Sequence, residues 1–151
     1  MANVVVRNKK AAHDYFILEK LECGIELRGT EIKSIRSGKV SLQDAYCRIK
    51  NGELFVINMH IAKYEHGNIF NHEEKRDRRL LAHKSEIRRL AGRLQQEGLT
   101  LIPLTLYFVG GLAKLEIALC RGKKLYDKRE DLRKEAVRKE IEKAHRHRDR
   151  Y

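Results

Sequence analysis

Two adjacent residues, Asn51 and Gly52, constrain this chain most. They separate Tyr46-Cys47-Arg48-Ile49-Lys50 from Glu53-Leu54-Phe55-Val56-Ile57. Asn-Gly accepts the positive φ values of a tight two-residue turn, so the two runs are predicted to pair as a β-hairpin. A second pair is predicted at residues 101–109 and 112–121 around Gly110-Gly111. In its second arm Ala113, Leu115, Ile117 and Leu119 alternate with Lys114, Glu116, Ala118 and Cys120, which predicts one face turned inward and the other toward water. Residues 14–23 place Tyr15, Ile17 and Leu21 on one face and Phe16 and Leu18 on the other, the pattern of a further strand.

Two short helices are expected between these strands. Thr30 is expected to cap one, with Ile32 and Ile35 on a shared face and Gly38 at its end. Ser85 is expected to cap another, in which Ile87, Leu90, Ala91 and Leu94 follow helical spacing as far as Gly98. The 151 residues amount to one domain by ordinary size. The fold class expected is therefore mainly β with short helices: an OB-like antiparallel β-barrel, which removes the edges a bare sheet exposes.

Charge then marks where the body ends. Lys and Arg number 33 against 21 Asp and Glu, a net charge of +12. Residues 121–151 hold 13 of the basic and 7 of the acidic groups, so a fifth of the chain carries +6. The expected organisation is a barrel over residues 1–122 and a basic tail over residues 123–151, without fixed structure alone and helical on an anionic partner. In that tail Leu132, Ala136, Val137, Ile141 and Ala144 form only a narrow apolar stripe. No apolar run approaches the roughly 18–20 residues that span a bilayer, and the first ten residues do not read as a signal peptide. No membrane role is expected. Cys23, Cys47 and Cys120 are widely separated and read as buried thiols of a reducing, cytoplasmic compartment.

A strongly basic chain seeks polyanions, and nucleic acid is the first candidate. Basic groups interleave with aromatic or amide groups at Asn8-Lys9-Lys10 with His13 and Tyr15, at residues 31–36, at residues 75–79 near His72 and His83, and at Gly122-Lys123-Lys124 with Tyr126. Such mixtures suit phosphate neutralisation and stacking on unpaired bases, whereas each cluster alone also reads as a solvated loop. An enzymatic site assembled from His60, His66, His72 and His83 with Glu65, Glu73 and Glu74 has no supporting motif, and no phosphate-cradling glycine loop is present. Neither catalysis nor a cofactor or metal is expected. Two alternatives are a general single-strand RNA binder or ribosomal-protein-like component, and a small metal-dependent nuclease.

The motifs Asn8-Lys9-Lys10-Ala11 with Asp14-Tyr15, residues 29–39, Asn51-Gly52-Glu53, Arg76-Asp77-Arg78-Arg79-Leu80-Leu81 with His83-Lys84 and Glu86-Ile87, and Gly122-Lys123-Lys124 before Asp127-Lys128-Arg129 closely resemble the SsrA-binding protein (SmpB) family in order and spacing. Glu73-Glu74 stands where many relatives have Asp-Pro, and Ala82 where a Leu is usual. The resemblance implies a non-enzymatic OB-like barrel, a monomer on its RNA. Such a barrel binds the tRNA-like domain of transfer-messenger RNA (tmRNA) and carries it into stalled bacterial ribosomes for trans-translation. It places RNA contacts on Asn8, Lys9, His13 and Tyr15, on Glu31, Lys33 and Arg36, on Arg76, Arg78, Arg79, His83 and Lys84, and on Lys123 and Lys124. Tyr126, Asp127, Lys128 and Arg129 would begin a tail that enters the decoding centre and mRNA channel of the small subunit. For Glu31, an acid among phosphates, the expectation is that it accepts hydrogen bonds from base or ribose donors or orients Lys33 or Arg36. The alternative is a first-turn acid that complements the helix dipole.

Overall fold

A computed structural model describes residues 3–65 and 71–123. The expectations for His66, Lys124, Tyr126, Asp127, Lys128, Arg129 and the tail helix lie outside these residues. Along the chain run β1 (Asn3–Arg7), α1 (Lys9–Asp14), β2 (Tyr15–Ile25), α2 (Gly29–Arg36), β3 (Val40–Ser41) and β4 (Tyr46–Lys50). Then follow β5 (Glu53–Ile57), β6 (His60–Ile61), β7 (Arg78–Leu81), α3 (Lys84–Arg93), β8 (Leu99–Val109) and β9 (Leu112–Gly122).

Seven strands form one antiparallel sheet in the order β1-β8-β4-β5-β7-β2-β9, and β9 returns to pair with β8. The sheet therefore curls into a barrel-like circuit, as the fold class expected, with β1 as an added edge on β8. Closure is thin at one seam, where β4 meets β8 through the single register pair Cys47↔Leu101. β3 and β6 form a separate two-stranded piece.

Both hairpins stand where the sequence puts them. β4 and β5 pair from Tyr46↔Ile57 to Lys50↔Glu53, and Asn51 and Gly52 adopt φ of 53° and 76°, the positive values a primed turn requires. β8 and β9 pair from Leu99↔Arg121 to Val109↔Leu112. The solvent face expected for β9 holds at Lys114 and Glu116 and fails at Ala118 and Cys120, which are buried. The reason is α1, a helix absent from the sequence reading. Its Ala11 packs with Ile102, Leu104, Ala118 and Cys120 into a second small core on the outside of the barrel. The main core fills the interior with Leu54, Val56, Ile61, Leu106, Leu115 and Ile117 among others.

The helix caps also differ from expectation. The N-cap of α2 is Arg28, whose backbone N–H donates to Glu31 Oε1 at 2.7 Å. Thr30 sits inside the first turn, where its hydroxyl meets His72 Nδ1 at 2.9 Å. The α2 end is as anticipated: Gly38 N–H bonds to Ile35 O at 2.9 Å and Lys39 N–H to Ser34 O at 3.0 Å. With Gly38 at φ 75°, these are the paired bonds of a Schellman motif, and they satisfy the carbonyls at that helix end. α3 starts after His83 rather than Ser85, because Glu86 Oε1 accepts from the His83 N–H at 3.3 Å. It stops at Arg93 rather than reaching Gly98. Its apolar stripe, with Ile87 and Leu90 buried, covers the barrel core as the spacing predicted.

The three cysteines are free and buried. Burial pushes the Cys23 thiol up to about 12 and the Cys120 thiol up to about 11, so both remain protonated and unreactive near neutrality.

Candidate nucleic-acid interface

Two clusters emerge from the residues that the sequence singled out. The first is built around Asn8, which is buried. Its Oδ1 accepts from the Ala11 N–H at 3.1 Å and so caps α1. Its Nδ2 donates to Leu42 O at 3.2 Å and Pro103 O at 3.0 Å, and its backbone N–H donates to Leu104 O at 2.7 Å. The Pro103 carbonyl is offered at a register irregularity in β8, the kind of site where a proline without an N–H is tolerated. Asn8 thus spends its amide inside the protein and fixes the turn that leaves Lys9 and Lys10 exposed. Replacing it by Ala removes the cap and strands two carbonyls. The expected cost is about 1–3 kcal/mol in urea unfolding, and no measurable loss would contradict this role.

The register Tyr15↔Gly122 between β2 and β9 then brings the end of the barrel back to its beginning. Lys123 Nζ donates to Ala12 O at 3.1 Å and lies 5.2 Å from the centre of the Phe16 ring. Lys123 therefore joins Lys9, Lys10 and the exposed His13, which contacts Asp14 at 3.1 Å, on one end of the molecule. Tyr15, half-buried against the second core, has its phenol raised by burial and then by Asp14 and Cys120. Its ring lines a shallow cleft with Lys10, Gln43, Asp44 and Tyr46.

The second cluster centres on Glu31, which is fully buried. Arg76 grips it with two bonds, Nη2 to Oε1 at 2.7 Å and Nε to Oε2 at 3.1 Å. Arg78 Nε donates to Oε2 at 2.5 Å. Burial pushes the Glu31 carboxyl up, but the bonds from Arg76, the Arg28 N–H and Arg78 outweigh it and hold the group below the usual carboxylate range. Both carboxylate oxygens are occupied by this protein. Glu31 is a first-turn acid, at the helix end favoured by the dipole, and its partners among the described residues are Arg76, Arg78 and the Arg28 N–H. Arg78, also fully buried, donates further to Met59 O at 2.6 Å and to the Glu73 and Glu74 carbonyls at 3.3 and 3.2 Å. Its guanidinium, planar and permanently charged, ties the basic loop to α2 and to the end of β5. His72 adds a second tie. Its Nε2 donates to Ile61 O at 2.8 Å, and its Nδ1 lies 2.9 Å from the Thr30 hydroxyl.

The other described basic residues of the predicted set stay on the surface. Arg79 lies 3.5 Å from Glu26 and 3.6 Å from Glu53, on the wall of a cleft of about 520 Å³ shared with Lys84. His83 and Lys84 open α3. Lys33 and Arg36 do not join Glu31. Lys33 lies over the Tyr64 ring at 5.3 Å and Arg36 over Phe108 at 5.2 Å. Of the histidine and glutamate set weighed as an enzyme site, His60 pairs with Glu74 at 2.9 Å, and His72 binds Thr30 and Ile61. Among the described residues no three His, Cys, Asp or Glu side chains gather into a metal-binding group.

Three further features of this surface arise only in the fold. Tyr107 donates to Glu22 across strands, Leu81 and Leu112 stand exposed beside a small apolar cleft with Phe108, and Asn71 clamps the Tyr64 backbone. No local signal marks them, since strand register and loop packing make each pairing.

A barrel-like antiparallel body with a basic N-terminal turn, and with an arginine loop pinned by a buried acid, defines a small protein of the kind that engages polyanions through its surface. Comparison with known proteins makes this particular. The family model described as SmpB protein matches residues 5–147, and the chain belongs to that family. It is 58% identical over 144 residues to the SsrA-binding protein of Carboxydothermus hydrogenoformans, covering 95% of this chain and 97% of the relative. It is also 58% identical over 141 residues to that of Pelotomaculum thermopropionicum, covering 93% and 92%. A solved structure described as "tmRNA-SmpB: a journey to the center of the bacterial ribosome" is 50% identical, with a TM-score of 0.67 over 78% of this chain and 83% of that one.

Proposed function

We propose that this protein binds the tRNA-like domain of tmRNA and delivers it to stalled ribosomes for trans-translation, acting in the cytoplasm as an RNA-binding factor without covalent chemistry. The observation that carries this reading is the family match along almost the whole chain, residues 5–147. The geometry supports it. Lys9, Lys10 and Lys123 lie on one end and Arg79 and Lys84 on another cleft, as phosphate contacts require, while Asn8, Glu31 and Arg78 position them from within. Phosphate contacts set register and most of the affinity. Lys124, Tyr126, Asp127, Lys128 and Arg129 continue the basic character into the decoding centre, where the tail tests whether mRNA already fills the channel. The basic tail and an mRNA cannot fill one channel at the same time, so sterics does the selecting.

The test is competition among the tRNA-like RNA, tRNA and poly-U for the intact protein. A folded tRNA elbow is expected to win over the homopolymer, and equal competition by poly-U overturns the reading in favour of a general single-strand binder. If roughly six to ten phosphates are neutralised, log affinity falls with log salt at a slope of about −5 to −9. A slope near zero removes the electrostatic basis.

A further inference from the structure

The C-terminal end of α2 and the chain after β6 enclose a cleft of about 250 Å³, apart from the basic end and from the Arg79–Lys84 cleft. Four properties point to a ligand. Ser34 lines the cleft, and its buried hydroxyl has no hydrogen-bond partner among the described residues, an uncommon and unfavourable condition for a buried polar atom. Lys39 and Lys63 stand on the rim, and Glu65 is the only acid there among the described residues. Lys39 meets Glu65 at 3.2 Å with both side chains at least half exposed, a pairing of little strength that an incoming anion replaces readily. The carbonyls that would repel an anion at a helix C-terminus are already bonded to Gly38 and Lys39.

The fourth property is an aromatic platform. Tyr64 lines the same cleft, and Lys33 lies 5.3 Å from its ring centre. The platform is held from behind: Asn71 Oδ1 accepts from the Tyr64 N–H at 3.0 Å, and Asn71 Nδ2 donates to Tyr64 O at 2.6 Å. A backbone gripped at both its donor and its acceptor presents its ring with little ordering cost on binding.

From these we infer that the cleft is a subsite for one unpaired nucleotide of bound RNA, with the base stacked on Tyr64 and the phosphate between Lys39 and Lys63. The Ser34 hydroxyl supplies the last hydrogen bond. Aromatic stacking with a cation beside it is the sequence-tolerant mode for unpaired bases, and two lysines as point charges suit a single phosphate. The site rests on the RNA-binding reading but is separate from the contacts that carry it.

The experiment uses the full chain and two probes: hexauridylate carrying 5-iodouridine, and the tRNA-like RNA. Photocrosslinking of the hexamer is expected to map to Tyr64. Tyr64→Leu is expected to weaken the hexamer by about 10-fold or more, in keeping with stacking on one base, and Tyr64→Phe to restore it. Ser34→Ala gives the sharper readout. It removes an unpartnered polar atom, so the thermal midpoint of the free protein stays level or rises, while hexamer affinity falls by about 2–10-fold. A role confined to the fold would lower the midpoint and leave affinity alone. Crosslinks elsewhere, or hexamer affinity unchanged in Tyr64→Leu and Lys39→Gln/Lys63→Gln, overturn the subsite. If the parent binds the tRNA-like RNA in that case, the proposed function survives without it. If the parent binds neither probe, both readings fall.

Discussion

Glu31→Ala is expected to destabilise the body by about 3–5 kcal/mol, because it leaves the fully buried Arg78 guanidinium without its carboxylate. Urea unfolding measures this directly. Arg78→Met in the wild-type background is expected to cost less, about 1–3 kcal/mol, because Glu31 keeps its two bonds from Arg76 and the one from the Arg28 N–H, while the Met59, Glu73 and Glu74 carbonyls lose their donor. The pair Glu31→Leu with Arg78→Met should lose less than the sum of the two, since neither charge is then stranded. Single variants within about 1 kcal/mol of the parent would contradict the account. The same group predicts an acid dependence. The Glu31 carboxyl is lowered in the folded protein, so its contribution is complete above the ordinary glutamate value of about 4.3. It is lost as pH falls below that value and through the lower folded one. Glu31→Gln should flatten that acid limb of the stability profile.

The second large effect concerns residues 132–151, which carry eight basic and four acidic groups. Ending the chain after Asp131 is expected to leave affinity for the tRNA-like RNA within a few-fold of the parent, because Lys9, Lys10, Lys123 and the arginine loop remain. Peptide tagging on stalled ribosomes is expected to be abolished. Two assays on one pair of proteins decide this, equilibrium binding and tagging in a reconstituted translation reaction. A truncated protein that still tags, or one that no longer binds the RNA, removes the division of labour between body and tail.

The parts of the fold legible in the sequence were those written locally. Asn51-Gly52 and Gly110-Gly111, with the alternation in β9, mark two hairpins, and both form at these turns. The α1 helix was not legible, because Lys-Lys-Ala-Ala-His-Asp has no apolar stripe and only Ala11 is buried. Tertiary bonds from Asn8 hold it. The α2 start lies before Thr30 for a related reason: a hydroxyl is the commoner cap, but here the Glu31 carboxylate takes the Arg28 N–H and frees the threonine for His72. Glu31 itself was conspicuous, yet its role depends on arginines 45 and 47 residues away. Composition recorded that the chain is basic. It held no information on which basic groups face outward, and Arg78, the most buried of them, reads like any surface arginine.

The register that joins Tyr15 to Gly122 also fixes when in the life of the chain its surface comes into being. β9 follows β2 by about a hundred residues, so the earlier strand waits for its partner while that length is synthesised. Pairings of such long separation form slowly and late. A nascent chain lacking its last strand has Lys9 and Lys10 but neither Lys123 nor the outer core beneath α1. An incomplete product released early would therefore lack the assembled basic end, and competence for RNA would be acquired only once the body has been translated in full.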